Sequence, residues 1–149
     1  MIYLINTFNP QWEGHALPEW TWPKRRVFGY MLKLMDGPLS LGIGGLRRTG
    51  KTTLLKQLMG ELSENRVPAK RICYFQFDRD LVLEHDNVLE KVLDAYLLDF
   101  LDESIGRIEV KTYIFLDEIQ LVPRWSDIVN RYLDRDPALI FVVSGSSSL

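Results

Sequence analysis

The segment from Gly45 to Thr52, G-L-R-R-T-G-K-T, follows the spacing G-x-x-x-x-G-K-[ST]. A short apolar run, Leu39 to Ile43, precedes it and an apolar helical repeat follows it, so a strand, a turn and a helix are predicted in that order. Glycines let such a turn curl until its N–H groups face an anion, and the helix presents its positive end to the same place. This combination predicts an α/β fold with a nucleoside triphosphate site.

The loop residues are predicted to have different roles. Lys51 is expected to reach the outer phosphates, and the hydroxyl of Thr52 is expected to bind Mg²⁺. Before nucleotide binds, Lys51 is expected to be a solvent-facing charge. The residues predicted to contact the nucleotide are Gly45, Leu46, Arg47, Arg48, Thr49, Gly50, Lys51, Thr52 and Thr53. The alternative interpretation is a glycine turn followed by a solvated lysine.

A second motif ends a compact apolar run, Tyr113 to Leu116, which is followed by Asp117 and Glu118. Such a run is typical of a strand buried on both faces. Adjacent carboxylates at its end are costly to leave unpaired, so Asp117 is predicted to hold Mg²⁺, directly or through water, opposite Thr52. Glu118 is then predicted to deprotonate the water that attacks the γ-phosphate. The alternative is an acidic helix start, because Asp and Glu favour first turns.

The rest of the chain is organised as one domain with an N-terminal extension. Residues 1–23 are rich in Trp and Pro without a clear period and are interpreted as an irregular arm, and residues 24–149 as the core. Helix patterns are predicted over Lys24 to Met35 and over Lys51 to about Asn65. The first of these is predicted to place Val27, Tyr30, Met31 and Leu34 along one face.

Strands and helices alternate in the second half of the chain as well. The predicted segments are a strand over Arg71 to Phe77, a long helix capped by Asn87 and reaching Leu101, a strand over Lys111 to Leu116, a helix from Trp125 to Leu133 and a strand over Leu139 to Val143. Right-handed crossovers then give a mainly parallel sheet that is covered on both faces. Ligands of such sheets bind at the carboxyl ends of the strands, so Asp78, the Asp117–Glu118 pair and Ser144 are expected to share one crevice with the phosphate loop.

Composition restricts the partners. A formal charge of −2 and a pI near 5.7 argue against a generally basic nucleic-acid surface, and the run Lys24-Arg25-Arg26 is more typical of an exposed face. The single cysteine, Cys73, lies in an apolar run and is expected to be a buried, inert thiol, which suits a reducing cytoplasm. No apolar stretch approaches the roughly 20 residues of a membrane span. A cytoplasmic protein without a membrane partner is therefore expected.

Three stretches together resemble the prokaryotic predicted ATPases of the AAA+ superfamily, AAA domain family fourteen. They are Gly44 to Leu55, I-F-L-D-E-I-Q at 114–120 with Trp125 soon after, and S-G-S-S at 144–147. The resemblance implies a three-layer P-loop sandwich with the strand order 5-1-4-3-2. It also implies that Lys51 and Thr52 are Walker A residues, that Asp117 and Glu118 are Walker B residues, and that Ser144 is a polar sensor of the γ-phosphate.

The sequence departs from that family pattern in its later part. The family continues with a fifth strand, a lid and a DNA-binding-like or nuclease-like domain, so the resemblance predicts a truncated chain, with nucleic acid as a partner only through the missing part. Without a fifth strand, the strand Leu39 to Ile43 is expected to be a sheet edge, which favours self-association and weak ATP binding. No residue matches the finger arginine, and Arg131 and Arg135 are interpreted as surface residues. Arg47 and Arg48 either add to phosphate binding or face solvent.

Two functions remain after this reasoning. The first is Mg²⁺-dependent ATP hydrolysis that drives or regulates an attached or partner domain, and Glu118 favours it. The second is a nucleotide-gated switch or scaffold that binds ATP with little turnover. The lack of a finger arginine favours the second, because a missing finger costs about 10³ to 10⁵ in rate.

Overall fold

The computed structural model describes residues 1–35, 41–44 and 50–146. The α-helices in these ranges are α1 (Ile2–Phe8), α2 (Arg26–Met35), α3 (Lys51–Glu64), α4 (Arg79–Glu84), α5 (Val88–Asp94) and α6 (Trp125–Arg135). The strands are β1 (Leu41–Ile43), β2 (Ile72–Gln76), β3 (Thr112–Asp117) and β4 (Leu139–Ser144). Shorter helical turns lie at Pro10–Glu13, Pro18–Thr21, Ala69–Arg71, Ala95–Phe100 and Ile119–Leu121.

The described strands form one parallel sheet in the order β1-β4-β3-β2. The predicted α/β fold with a parallel sheet is thereby confirmed, and the order matches the last four positions of the order that the family resemblance implies. Within the described residues β1 pairs with β4 alone and β2 pairs with β3 alone, so both are edges. β3 and β4, which carry Asp117 and Ser144, occupy the centre, and every residue of both strands is buried.

Each face of the sheet has its own apolar layer. One layer packs α2 and α3 against the sheet, and the other packs α5 and α6. The helix after the phosphate loop buries the predicted stripe, which consists of Leu54, Leu55, Leu58, Met59 and Leu62. Burying an aliphatic side chain contributes about 1.5–3 kcal/mol, so this stripe anchors α3 firmly against the sheet.

The predicted buried face of α2 is wrong in large part. Val27, Tyr30 and Leu34 are exposed, whereas Phe28, Met31 and Met35 are buried. Both sets have helical spacing, because apolar residues fill two neighbouring stripes of this short helix. Periodicity alone could not decide between them, and packing against α3 selected the stripe that contains Phe28.

The segment between β2 and β3 also differs from its prediction. α4 follows β2 directly, and the Asp78 side chain caps it by accepting a hydrogen bond of 2.7 Å from the Leu81 N–H. Asn87 precedes α5 with a φ of 55° and makes no side-chain cap bond, so the predicted cap is wrong. The predicted long helix instead consists of α5 and the π-helical turn Ala95–Phe100.

The N-terminal segment, residues 1–22, is more regular than predicted, because it contains α1 and two short turns. Its Asn9 covers the free edge of β2: the Tyr74 N–H donates to Asn9 Oδ1 at 2.7 Å, and Asn9 Nδ2 donates to the Tyr74 carbonyl at 2.9 Å. The segment then reaches α3, where Trp20 lies so close to Gly60 that an added Cβ would be 2.7 Å from its ring. The N-terminal segment therefore joins the β2 edge of the sheet to α3.

The cysteine and the membrane-span predictions can both be compared with the structure. Cys73 is free and buried, as expected, and burial raises the pKa of its thiol. Among residues 1–35, 41–44 and 50–146, no helix has the length and apolar character needed to cross a membrane.

Candidate nucleotide-binding site

A pocket of about 280 Å³ lies at the carboxyl ends of the strands, lined by Gly50, Lys51, Thr52, Thr53 and Glu118. Gly50 begins α3 with a φ of 84°, a left-handed conformation that favours glycine. The first turn of α3 thus borders the pocket, and the N-terminal end of a helix is an arrangement that binds anions. Gly45, Leu46, Arg47, Arg48 and Thr49, predicted to contact the nucleotide, lie outside the described residues.

Lys51 borders the pocket but is not the solvent-facing charge that the sequence predicted. It is buried, with 7% of its surface exposed. The first turn of a helix packed against a sheet leaves little open space around a long side chain, so its aliphatic part is covered. Lys51 therefore lines the pocket as a residue with little exposure to solvent.

Beneath the pocket, four hydrogen bonds hold the fully buried carboxylate of Asp117. The hydroxyls of Thr52 and Tyr74 each donate to Oδ2 at 2.6 Å. The Ser144 hydroxyl and, at 3.1 Å, the Glu118 N–H donate to Oδ1. We name Asp117, Thr52, Tyr74 and Ser144 the Asp117 cluster. These bonds explain how a carboxylate is tolerated in the interior, because a buried charge must be hydrogen-bonded to avoid a large desolvation cost.

The residues of the Asp117 cluster fit a hard divalent cation. Thr52 and Asp117 both offer oxygen, the ligand atom that Mg²⁺ prefers. A hydroxyl has one proton and two lone pairs, and the proton of Thr52 is directed at Asp117. The lone pairs of Thr52 are therefore available for a cation while its bond to Asp117 is kept.

Glu118 lies at the edge of the same pocket in a different setting. It is half-buried and has a φ of 57°, unusual for a residue with a side chain. Its Oε2 accepts a hydrogen bond of 2.6 Å from Gln120 Nε2. We name Glu118 and Gln120 the Glu118 corner. The left-handed turn after β3 separates the neighbouring carboxylates, with Asp117 directed into the interior and Glu118 lining the pocket.

Comparison with known families agrees with this geometry. The model of the AAA domain family matches residues 38–149. The chain belongs to the AAA domain family. It is therefore a nucleotide-binding module of the AAA+ class, as the resemblance of its motifs implied.

An uncharacterised protein of Haemophilus influenzae is 33% identical to this AAA domain over 101 residues. The match covers 67% of the chain and 24% of the relative, so the chain spans about a quarter of that protein. Among solved structures, Caenorhabditis elegans PCH-2 gives a TM-score of 0.48 at 15% identity, covering 97% of this chain and 35% of that one. A DNA replication initiation factor gives a TM-score of 0.45 at 17% identity, and the match covers 80% of this chain and 36% of that one.

The structure places the predicted site residues of this AAA domain in two groups. Lys51, Thr52, Thr53 and Glu118 line the pocket, and Asp117 lies behind Thr52. Ser144, predicted as a sensor of the γ-phosphate, is fully buried and directs its hydroxyl at Asp117. Asp78, expected in the same crevice, caps α4 instead. Strand ends of a parallel sheet share an edge, but local capping and burial decide where each side chain points.

Sequence reasoning missed three residues of the site. Tyr74 reaches Asp117 from the neighbouring strand, and Gln120 holds Glu118. Arg25, seen only as part of a basic run, lies beside Gly50, the residue before α3: a Cβ added to Gly50 would be 3.1 Å from its Nη1. Only Gln120 left a signal in the sequence, because it is two residues from a predicted catalytic carboxylate. Tyr74 and Arg25 are far from the motif in sequence and are brought to it by the fold.

A larger groove of about 640 Å³ lies between the α4–α5 connection and α6. Its lining mixes acidic side chains, such as Asp86 and Asp127, with Arg124 and Arg131. It contains neither a phosphate-binding turn nor a buried carboxylate, and Arg131 already pairs with Glu90 at 3.3 Å. The smaller pocket is therefore the candidate site on chemical grounds. Within the described residues, no group of three or more His, Cys, Asp or Glu side chains could hold a metal ion.

Proposed function

We propose that this chain binds ATP with Mg²⁺ and hydrolyses it, and that hydrolysis drives or regulates an attached or partner domain. The observation that carries the proposal is the 2.6 Å bond between Thr52 and Asp117, directly behind a pocket that Lys51 and Glu118 also line. In this proposal, Thr52 and Asp117 supply the oxygen ligands for Mg²⁺, Lys51 supplies the positive charge for the phosphates, and Glu118 supplies the base. The membership in the AAA domain family supports the same conclusion.

Each residue has a distinct part in this proposal. The N–H groups at the start of α3 and the ammonium of Lys51 hold the β- and γ-phosphates. Thr52 and Asp117 hold the metal ion, which supplies charge neutralisation to the phosphate oxygens when it is bound. The Glu118 carboxylate accepts the proton of the attacking water. Lys51 contributes more than a solvated lysine would, because charges interact more strongly where water is limited.

The test of nucleotide binding is the Lys51→Ala variant, measured by titration calorimetry with ATP and Mg²⁺. Loss of a charge-assisted bond is expected to weaken binding by about 100-fold or more. Lys91→Ala, an exposed lysine of α5 that does not line the pocket, is the control and is expected to bind like the original chain. Because Lys51 is buried, circular dichroism must show that the variant is folded. Unchanged affinity in a folded Lys51→Ala protein contradicts the proposal.

A second candidate function is a nucleotide-gated switch or scaffold that binds ATP with little turnover. It is favoured by the lining of the pocket, because none of the described residues that form it is an arginine and Arg25, which approaches Gly50, is not part of it. Arg131 and Arg135, as the sequence predicted, are exposed on α6. Steady-state phosphate release separates the candidates, because the switch predicts binding without release.

We further infer that the β1 edge pairs with another copy of this chain. Its N–H and C=O groups on the side away from β4 have no strand partner among the described residues, and such edges favour association. Light scattering at high concentration tests this, and a monodisperse monomer contradicts it. We also propose a cytoplasmic location, because the free thiol of Cys73 is compatible with a reducing compartment.

A further inference from the structure

Tyr74 connects the Asp117 cluster to the adjacent strand. Its ring is buried, with 1% exposed, and its hydroxyl donates to Asp117 Oδ2 at 2.6 Å. In the register of β2 and β3, Tyr74 is paired with Phe115, two residues before Asp117. Residues two apart in a strand share a face, so Tyr74 reaches Asp117 diagonally across one face of the sheet.

The oxygen that Tyr74 contacts is the one that also accepts the Thr52 hydroxyl. An ionised carboxylate only accepts hydrogen bonds, and a phenol hydroxyl has one proton to donate. Without the phenol, Oδ2 would be left with the bond from Thr52 alone.

The N-terminal segment holds Tyr74 in this position. Asn9 binds both backbone groups of Tyr74, at 2.7 and 2.9 Å. The Phe8 ring packs edge-on against the Tyr74 ring, with 5.9 Å between centroids. The ammonium group of Lys56 lies 5.2 Å from the same ring centre and pairs with Glu19 of the N-terminal segment. The ring is thus contacted by Phe8 of α1 and Lys56 of α3, and Glu19 of the N-terminal segment holds Lys56.

We propose that Tyr74 is a positioning residue of the Mg²⁺ site, which fixes the Asp117 carboxylate toward Thr52 and is itself held in place by Asn9. The inference rests on the proposed function, because it assigns Tyr74 to the same cation site. Because the Tyr74 hydroxyl orients the Asp117 carboxylate, its removal is expected to weaken Mg²⁺ binding more than it weakens the binding of the phosphates. Hydrogen bonds to charged groups have the strength to shift such an affinity about tenfold.

The test compares Tyr74→Phe with Tyr132→Phe. Tyr132 is also buried and donates its hydroxyl to a carboxylate, that of Asp94, but it lies on α6 and does not line the pocket. The affinity for a fluorescent ATP analogue is measured in EDTA and across a Mg²⁺ titration. For Tyr74→Phe we expect an unchanged affinity in EDTA and a Mg²⁺ concentration for half-maximal effect that is about tenfold higher. For Tyr132→Phe we expect both values to match the original chain.

The other outcomes separate the inference from the proposed function. If the original chain binds no analogue at any Mg²⁺ concentration, the proposed function fails and the inference fails with it. If the original chain binds and Tyr74→Phe has the same Mg²⁺ dependence, only the inference is overturned. If Tyr74→Phe weakens binding of the analogue equally in EDTA and in Mg²⁺, Tyr74 has a general structural role and the inference is overturned as well.

Asn9→Ala provides a second measurement that leaves the Tyr74 hydroxyl intact. It removes the two bonds to the Tyr74 backbone, so we expect a higher Mg²⁺ requirement that is smaller than the effect of Tyr74→Phe. This variant also keeps the proposal testable if Tyr74→Phe does not fold. An Mg²⁺ dependence equal to that of the original chain would overturn the role of the N-terminal segment.

Discussion

The Asp117 cluster and the Glu118 corner begin at adjacent residues and are built in opposite ways. Asp117 is fully buried and binds side chains from α3, β2 and β4, whereas Glu118 is half-buried and binds a side chain two residues away. The first carboxylate is therefore held by the tertiary fold, and the second by its own turn. We infer that the first serves stability and cation binding together, while the second is free to take part in chemistry without a large cost to the fold.

The largest expected difference concerns stability. Asp117→Ala leaves the hydroxyls of Thr52, Tyr74 and Ser144 without their acceptor, and each unsatisfied buried group costs about 1–3 kcal/mol. We expect the free energy of unfolding to fall by about 3 kcal/mol or more, as measured by urea denaturation. Glu118→Ala is the matched control and is expected to change it by about 0.5 kcal/mol or less. Equal losses for the two variants would remove the distinction between the two regions.

The second prediction concerns hydrolysis. Glu118→Gln keeps the shape of the side chain but removes the base, so the rate of phosphate release should fall by about 10² or more while ATP affinity is retained. Asp117→Asn should instead weaken the binding of ATP with Mg²⁺. Calorimetry and a phosphate-release assay on both variants measure this contrast. A Glu118→Gln protein that hydrolyses ATP at the original rate shows that Glu118 is not the base.

A smaller effect is expected for the residue that orients Glu118. Gln120→Ala removes the 2.6 Å bond to Glu118 Oε2 and should lower the hydrolysis rate about tenfold with little change in ATP affinity. Gln57→Ala is the control, because it removes another hydrogen bond of a glutamine, the one that Gln57 Nε2 donates to the Trp22 carbonyl at 2.9 Å. If Gln120→Ala and Gln57→Ala lower the hydrolysis rate equally, the effect of Gln120 is not specific to the Glu118 corner.

The smallest effect is expected for Ser144. Its removal as Ser144→Ala should lower the free energy of unfolding by about 1 kcal/mol, because Asp117 Oδ1 keeps the Glu118 N–H as a donor. Urea denaturation measures this loss. If hydrolysis also falls several-fold at unchanged ATP affinity, the predicted sensor role is supported. Activity that stays at the original level assigns Ser144 to the Asp117 cluster alone.

The fold was predictable where local pattern and packing agree. α3 buries the apolar stripe that its spacing predicts, and the apolar runs before Asp117 and Ser144 are the two central strands of the sheet. α2 shows the opposite case, because two stripes have the same period and only the surface beneath the helix distinguishes them. The predicted side-chain cap by Asn87 was wrong for a related reason. The preceding residues form α4, and Asn87 then precedes α5 in a left-handed conformation without a side-chain cap bond.

The sequence by itself determined which motif residues would meet at the pocket, namely Lys51, Thr52 and Glu118. These residues belong to two short motifs: a strand, a glycine turn and a helix with Lys51 and Thr52, and an apolar strand that ends in Asp117 and Glu118. Each motif is a continuous stretch of chain, so its residue pattern can be recognised without the rest of the fold. The tertiary structure alone decided which side chains complete the site. Tyr74 meets Asp117 through the register of β2 and β3, Asn9 holds Tyr74 across 65 residues, and Ser144 is directed inward by the burial of β4. Contacts between distant segments depend on how strands align and which faces are covered, and no short stretch of sequence encodes either.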